Sequence, residues 1–256
     1  MWMTQKDLFV DNRFRSMDTV TALASAGRSL TSLAFERLRE DILRGRLAPS
    51  ERLRIQALSE RYRIGATAIR EALSRLTTDG LVHAEDQRGF TVTPVSPEEL
   101  LDLTRTRIQV EQMALRMAAA HGDVEWESLV LSSSHRLSRA EEQARSDETL
   151  AAWAVAHRQF HEALVAGCGS PWTLRLCRLL YDQTERYRAL SVQPARRRKR
   201  DVGKEHRELT EAALARDADA LCRLIEAHFG ETASLILQNG LAEGGARSPA
   251  RSGARR

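Results

Sequence analysis

From Pro97 to about residue 238 the apolar residues return every three to four positions. Only short breaks interrupt them: Gly122, Ser146-Asp147, Gly167 to Ser170, a run over 191–201, and Arg216-Asp217. Such spacing gathers the apolar side chains into one stripe per helix. The periodic stretches cover 97–121, 124–145, 148–167, 171–190, 202–215 and 217–238. Helices of that length on short loops bury their stripes against one another, so the pattern predicts an antiparallel bundle of about six helices. Ser96-Pro97-Glu98-Glu99 opens the first with a serine cap, a proline at the first helical position and acids in the first turn. The chain is 42% hydrophobic, enough to fill a core, and its 5% aromatics and six prolines fit helices better than a β-sandwich or barrel.

Upstream of the bundle the elements are short. A helix is predicted over 33–44, with Phe35, Leu38, Ile42 and Leu43 on one face, ended by Gly45 and the Pro49-Ser50 turn. A second covers Gln56 to Tyr62. After the Ile64-Gly65 turn a third runs from Ala66 to Thr78, with Ile69, Ala72, Leu73 and Leu76 as its buried stripe. Residues 81–84 and 90–93 then read as two strands flanking the turn Glu85 to Gly89. Helix, helix, tight turn, helix and hairpin make a winged helix-turn-helix, whose second motif helix enters the major groove of DNA. The fold class is therefore mainly α: an N-terminal winged helix-turn-helix over 29–95, then an all-α bundle over 96–239. Residues 1–28 lack sustained periodicity, with Met17 an alternative start, and 240–256 form a Gly-, Ser- and Arg-rich tail; both are expected to be disordered.

On the third helix, Thr67, Arg70, Glu71 and Ser74 lie opposite the apolar stripe. Arg70 suits a phosphate or guanine contact, and Thr67 sits near the helix N-terminus, where backbone N–H groups attract phosphate. An ordinary ion pair is the alternative role for Arg70. Arg88-Gly89 places a cation at the wing turn. The segment 35–95 holds eleven arginines against nine acids, modest for a DNA binder, so a homodimer that doubles the contacts is expected.

Three cysteines without a C-x-x-C pair argue against a disulfide scaffold. No stretch approaches ~18 apolar residues, and the first twenty mix charges, so a cytoplasmic protein with no membrane span or secretory signal is expected.

In the bundle, His157 and His161 share one helix face at i,i+4, with His206 and His228 on the last two helices. Helices of an antiparallel bundle can turn these rings into one cavity, where they would bind a divalent transition metal; satisfied core or surface histidines are the alternative. An enzyme is not expected. His157-Arg158-Gln159-Phe160-His161 lacks the glutamate that zincin-type helices place directly after the first histidine, and no G-x-S-x-G is present. A metal-independent regulator or a protein-binding adaptor remains as an alternative reading of the bundle.

The motifs Leu38-x-x-x-Ile42-Leu43-x-Gly45, Pro49-x-x-x-Leu53, Arg70-Glu71-Ala72-Leu73-x-x-Leu76, Gly80-Leu81-Val82 and Arg88-Gly89-Phe90-x-Val92 together resemble the GntR family of bacterial transcription factors. The family's recognition helix opens with Ser-Arg-x-Pro, where this chain has Gly65, Ala66 and Ala68. The resemblance therefore implies a shifted operator, with Arg70, Thr67 and Gln56 making more of the readout. Arg107-x-x-x-Glu111, Phe160-His161-x-x-Leu164, Glu205-His206-Arg207 and Ala227-His228 are similar to the FCD (FadR-type) branch of that family. The likeness implies a repressor controlled by a small carboxylate, and a metal held by one aspartate and three histidines. His157 stands where the aspartate would be, while His161, His206 and His228 match directly. Four neutral histidines would leave a divalent site at +2 rather than +1, favouring zinc, then nickel, over manganese, and attracting an anion more strongly. The alternative is that His157 does not ligate, leaving a three-histidine site or no bound metal at all.

Arg107 is expected to grip an effector carboxylate, or else to pair with Glu111. The stretch Ser170-Pro171-Trp172 and Leu179 to Arg188, with the Ile64-Gly65 turn, resembles the subgroup of the carbon-starvation repressor CsiR. That implies glutarate or 2-hydroxyglutarate as effector, with Trp172, Tyr181 and Arg188 lining its pocket. The basic run Arg196 to Arg200 is expected to be solvated.

Overall fold

A computed structural model describes residues 29–85, 88–144, 146–190 and 200–239. The expected disordered ends, 1–28 and 240–256, lie outside the described residues, as do Arg196 to Lys199 of the basic run. The chain divides into two compact units between Pro94 and Val95.

In the first unit, α1 (Leu30–Leu43) starts three residues before the predicted bound. Ser29 is its cap, its hydroxyl accepting from the amide of Ser32 at 3.1 Å. A two-residue strand β1 (Arg52–Leu53) follows, then α2 (Ile55–Tyr62) and α3 (Ala66–Thr78), then β2 (Val82–Glu85) and β3 (Gly89–Val92). The sheet order is β1-β3-β2, all antiparallel, with Leu53 opposite Phe90 and Val82 opposite Val92. β1 was not expected, because two residues are too few to show an alternating pattern.

Ala34, Leu38 and Ile42 of α1 share a core with Leu58, Ile69, Leu73, Leu76, Val82 and Val92. One buried carboxylate ties the helices together. Asp41 accepts from Arg46 Nε at 2.6 Å, Arg61 Nη2 at 2.9 Å and the Tyr62 hydroxyl at 2.5 Å. At the wing turn Gly89 has φ of 90°, in the left-handed region that side chains disfavour.

The second unit is helical throughout its described residues: α4 (Pro97–His121), α5 (Val124–Gln143), α6 (Asp147–Ala166), α7 (Pro171–Leu190), α8 (Val202–Leu214) and α9 (Ala218–Asn239). As predicted, Ser96 caps α4, accepting from the amide of Glu99 at 3.1 Å. α4 packs on α9 and α7, and α5 packs on α6 and α8. The core between them contains Leu115, Ala118, Val130, Phe160, Leu164, Leu209, Ile225 and Phe229. Trp126 of α5 is buried there, its Nε1–H donating to the Ala163 carbonyl at 3.0 Å. Gly122 lets that ring approach, since a Cβ at this position would meet the indole at 2.2 Å. None of the described helices is long and apolar enough to cross a membrane.

Candidate metal centre and DNA-facing surface

Each of the four histidines sits on the apolar stripe of its helix, which is why the packing that buries Phe160 and Phe229 buries them too. α6 contributes His157 and His161, α8 contributes His206 and α9 contributes His228, all at 7% exposure or less. Their ring centroids are 4.6 Å apart for His157 and His161, 5.2 Å for His157 and His206, 5.2 Å for His161 and His228, and 5.1 Å for His206 and His228. One ring nitrogen from each lies within 4.8 Å of all the others. The cluster could hold a metal ion.

The groups behind the rings differ. His206 Nδ1 lies 3.1 Å from Glu141 Oε1, and His228 Nδ1 lies 2.7 Å from Glu205 Oε2. Arg200 grips that same Glu205 through both oxygens, at 2.6 and 2.5 Å, and donates to the His228 carbonyl at 2.9 Å and the Thr232 hydroxyl at 3.0 Å. The expectation that Arg200 is solvated is therefore corrected: its side chain is 11% exposed and locked onto α8 and α9. His157 Nδ1 instead faces the Tyr181 hydroxyl at 3.0 Å and Arg188 Nη1 at 3.4 Å, and Trp153 stacks on its ring at 4.8 Å.

Burial drives the electrostatics. It holds His157 and His161 well below the usual imidazole range, with Arg188 adding to the effect at His157 and His228 at His161. Burial likewise outweighs the favourable hydrogen bond from Glu205 and lowers His228 to about 4. At Glu205 the balance reverses: burial pushes the carboxyl up, but the hydrogen bonds from Arg200 and His228 together bring it down to about 2. The result at His157, His161 and His228 is a neutral imidazole, and behind His228 stands an ionised Glu205, the arrangement that raises the basicity of a metal-binding histidine.

The residues fit a metal on a further count. His206 Nε2 is buried without a hydrogen-bond partner. With Nδ1 facing a carboxylate, Nε2 presents a bare lone pair, and an unmet buried acceptor costs about 1–3 kcal/mol. A transition metal is the partner such a nitrogen lacks. His157 Nε2 and His161 Nε2 are 3.2 Å apart, a hydrogen-bonding distance.

Arg107 is buried beside this cluster, and both of its expected roles find material. Its Nε donates to Glu111 Oε1 at 2.7 Å, yet its Nη2 has no partner among the described residues. The guanidinium lies 3.8 Å from the Phe229 ring centroid and 4.9 Å from that of Tyr181. Burial raises the Glu111 carboxyl despite that pairing. Two small cavities adjoin: about 50 Å³ lined by Glu111, His161, Cys177 and Tyr181 among others, and about 20 Å³ lined by Thr104, Arg107, Thr184, Phe229 and Thr232. Tyr181 and Arg188 thus stand at the cluster. Trp172 does not, and that expectation is corrected. It is 72% exposed, because the inward face of α7 runs through Thr173, Cys177, Tyr181 and Thr184, and a residue one step off that face turns outward. An arginine, Arg175, lies 5.3 Å from its ring.

In the first unit, Thr67, Arg70 and Ser74 of α3, Gln56 of α2, and Arg88 and Gly89 of the wing turn are all exposed. Arg70 makes no ion pair among the described residues, so its alternative role as a structural pair finds no partner there. Glu71 is engaged instead, accepting from the Thr31 hydroxyl at 2.7 Å. Gln56 donates to Glu60 at 3.2 Å, and Arg88 lies 3.6 Å from Glu85 in an exposed pair.

Sequence reasoning missed Glu141, Arg200 and Trp153. Glu141 stands 65 positions before His206 and nothing local marks it. Glu205 carried a signal, since it directly precedes His206.

Two family models match the chain: bacterial regulatory proteins of the gntR family over residues 30–92, and the FCD domain over 102–231. The chain belongs to the GntR family, in its FCD branch. The HTH-type transcriptional regulator BphR of Paraburkholderia xenovorans strain LB400 is 45% identical over 216 residues, covering 84% of this chain and 88% of the relative. The HTH-type transcriptional repressor GlaR of Escherichia coli K12 is 38% identical over 218 residues, covering 82% and 97%. Among solved structures, E. coli McbR/YncC superimposes with a TM-score of 0.70 at 21% identity, over 82% of this chain and 98% of that one, a likeness of fold. This protein is a DNA-binding transcriptional regulator of the GntR/FCD type and not an enzyme, as the families and relatives are regulators.

Proposed function

We propose that this regulator is a metal-dependent sensor of a small carboxylate and acts as a cytoplasmic homodimeric repressor on a pseudo-palindromic operator. Residues 29–95 bind DNA, and 96–239 bind the effector and dimerise. The observation that carries this reading is the buried histidine cluster, backed by Glu141 and Glu205, beside an arginine whose Nη2 is unmet. A divalent ion, zinc before nickel or manganese, would supply positive charge to attract and orient an anion. Arg107 Nη2 takes one carboxylate oxygen, and Tyr181 and Arg188 bound the site. Glutarate and 2-hydroxyglutarate are the first candidates. On DNA, Arg70, Thr67 and Ser74 read from the helix, Gln56 assists from its neighbour, and Arg88-Gly89 meets the backbone. An effector needs only a few kcal/mol of differential affinity to shift the population that binds the operator.

The test is a thermal-shift series of mono- and dicarboxylates on the full chain, before and after chelator. Stabilisation by glutarate or 2-hydroxyglutarate that disappears with the chelator is expected. No shift from any acid and no chelator effect would contradict the sensor.

A further inference from the structure

We propose that His157 serves the centre as a hydrogen-bond donor rather than as a metal ligand: its outer neighbours hold the neutral ring in the Nε2–H tautomer, and that proton selects for an anionic oxygen bound in the cluster. The proposal rests on the metal-dependent reading above and narrows the ligand set to His161, His206 and His228.

A neutral imidazole has one N–H and one lone pair, so the partner of one nitrogen decides what the other can do. At His206 the outer partner of Nδ1 is a carboxylate, which only accepts; at His228 the Glu205 carboxylate, at 2.7 Å, stands closer than the Arg200 guanidinium at 3.2 Å, which donates to Glu205 and to the His228 carbonyl. Nδ1 therefore carries the proton and Nε2 turns its lone pair into the cluster, the state a metal requires. His157 Nδ1 differs in having no carboxylate partner among the described residues. Arg188 Nη1, 3.4 Å from its Nδ1, belongs to a guanidinium, which has no lone pair to offer and can only donate. The Tyr181 hydroxyl at 3.0 Å could act either way. If it accepted from Nδ1, its own proton would be left buried, since no other partner of that hydroxyl occurs among the described residues. Donating to Nδ1 satisfies both groups.

With Nδ1 accepting, the ring proton sits on Nε2. That atom points into the cluster, 3.2 Å from His161 Nε2. A nitrogen that carries a proton has no lone pair for a cation, but it is well suited to donate to a carboxylate oxygen. Arg188 adds positive charge on the same side, partly balanced by Glu185 at 2.8 Å, so this edge favours an anion over a second cation. Trp153 stacks on the ring and Tyr181 anchors it, which fixes the direction of the N–H.

Two readouts test this on the full chain. In the metal-free protein, two-bond ¹H–¹⁵N correlation of labelled histidines should show His157 protonated on Nε2, and His206 and His228 on Nδ1; a proton on His157 Nδ1 overturns the proposal. Zinc affinity, measured by chelator competition, should stay within about threefold of wild type in His157→Leu and His157→Gln but fall a hundredfold or more in His206→Ala. Acetate serves as the anion probe on the zinc-loaded protein. Its affinity should drop about tenfold or more in His157→Leu and be partly restored in His157→Gln, whose amide can donate. Loss of zinc from both His157 variants to the extent seen in His206→Ala overturns the proposal. If His157→Leu fails to fold, His157→Gln and Tyr181→Phe carry the test, the latter by its shift of the tautomer. If wild type takes up no zinc, the metal reading fails, and the tautomer alone then decides the role of His157.

Discussion

The two units use their polar residues in opposite ways. In the winged unit, Arg70, Thr67, Ser74 and Arg88 are exposed, and Arg70 has no ion pair among the described residues. Their hydration is given up only when a partner arrives. In the bundle, Arg107, Glu111 and the four histidines are buried before any ligand binds, and neighbours meet only part of their desolvation: Glu141 for His206, Glu205 and Arg200 for His228, Tyr181 for His157, with Arg107 Nη2, His161 Nδ1 and His206 Nε2 left unmet. The lesson is one of separability. A surface contact can be deleted with little effect on folding, whereas a change to a polar group of the buried cluster also disturbs the packing and hydrogen bonds of the bundle.

Substitutions can break that contrast, and the largest effect belongs to the bundle. Glu111→Ala leaves the Arg107 guanidinium buried without its 2.7 Å partner. Unfolding measurements on the metal-free chain should show a loss of about 3–5 kcal/mol, the typical cost of stranding half of a buried pair. A loss below ~1 kcal/mol would mean water reaches the pair and the contrast is overdrawn. In the winged unit Arg70→Ala should weaken operator binding by about 1–3 kcal/mol, read by fluorescence anisotropy, with the melting temperature unchanged. Equal operator affinity would remove α3 from the reading surface.

Acid sharpens the comparison further. In the metal-free chain His157, His161 and His228 are held below their unfolded value near 6.5, with His228 at about 4. Below pH ~6.5 the unfolded chain takes up protons that the folded bundle refuses, so the stability of the bundle falls as pH falls, by about 1.4 kcal/mol per pH unit for each such histidine. The contribution is fully present above ~6.5. Chemical denaturation from pH 7.5 to 5 should show this decline, and a flat profile would contradict the burial. The smallest effect is expected at the wing. Glu85→Ala removes an exposed pair with Arg88 at 3.6 Å and should change the unfolding free energy by less than ~0.5 kcal/mol.

The same contrast governs what could be read without a structure. The helices with strong punctuation came through with their bounds: Ala66–Thr78 between Gly65 and Asp79-Gly80, Pro97–His121 between Ser96 and Gly122, and Pro171–Leu190 after Ser170. The outward placement of Thr67, Arg70 and Ser74 was legible because they lie on one short helix, where periodicity sorts inside from outside. The convergence of His157, His161, His206 and His228 was legible as a consequence of shared stripes. Their outer partners were not. Glu141 reaches His206 from another helix, and Arg200 follows a run that carries no periodicity. Trp172 shows the limit of periodicity from the other side: at a helix start, one residue of phase turns a side chain from core to solvent.

Metal content of the full-length chain is the most direct test of the cluster. After dialysis against metal-free buffer and loading with zinc, mass spectrometry should find one ion per wild-type chain and none in His206→Ala, whose Nε2 lies unmet in the cluster. Full stoichiometry in His206→Ala, or none in wild type, would contradict the account.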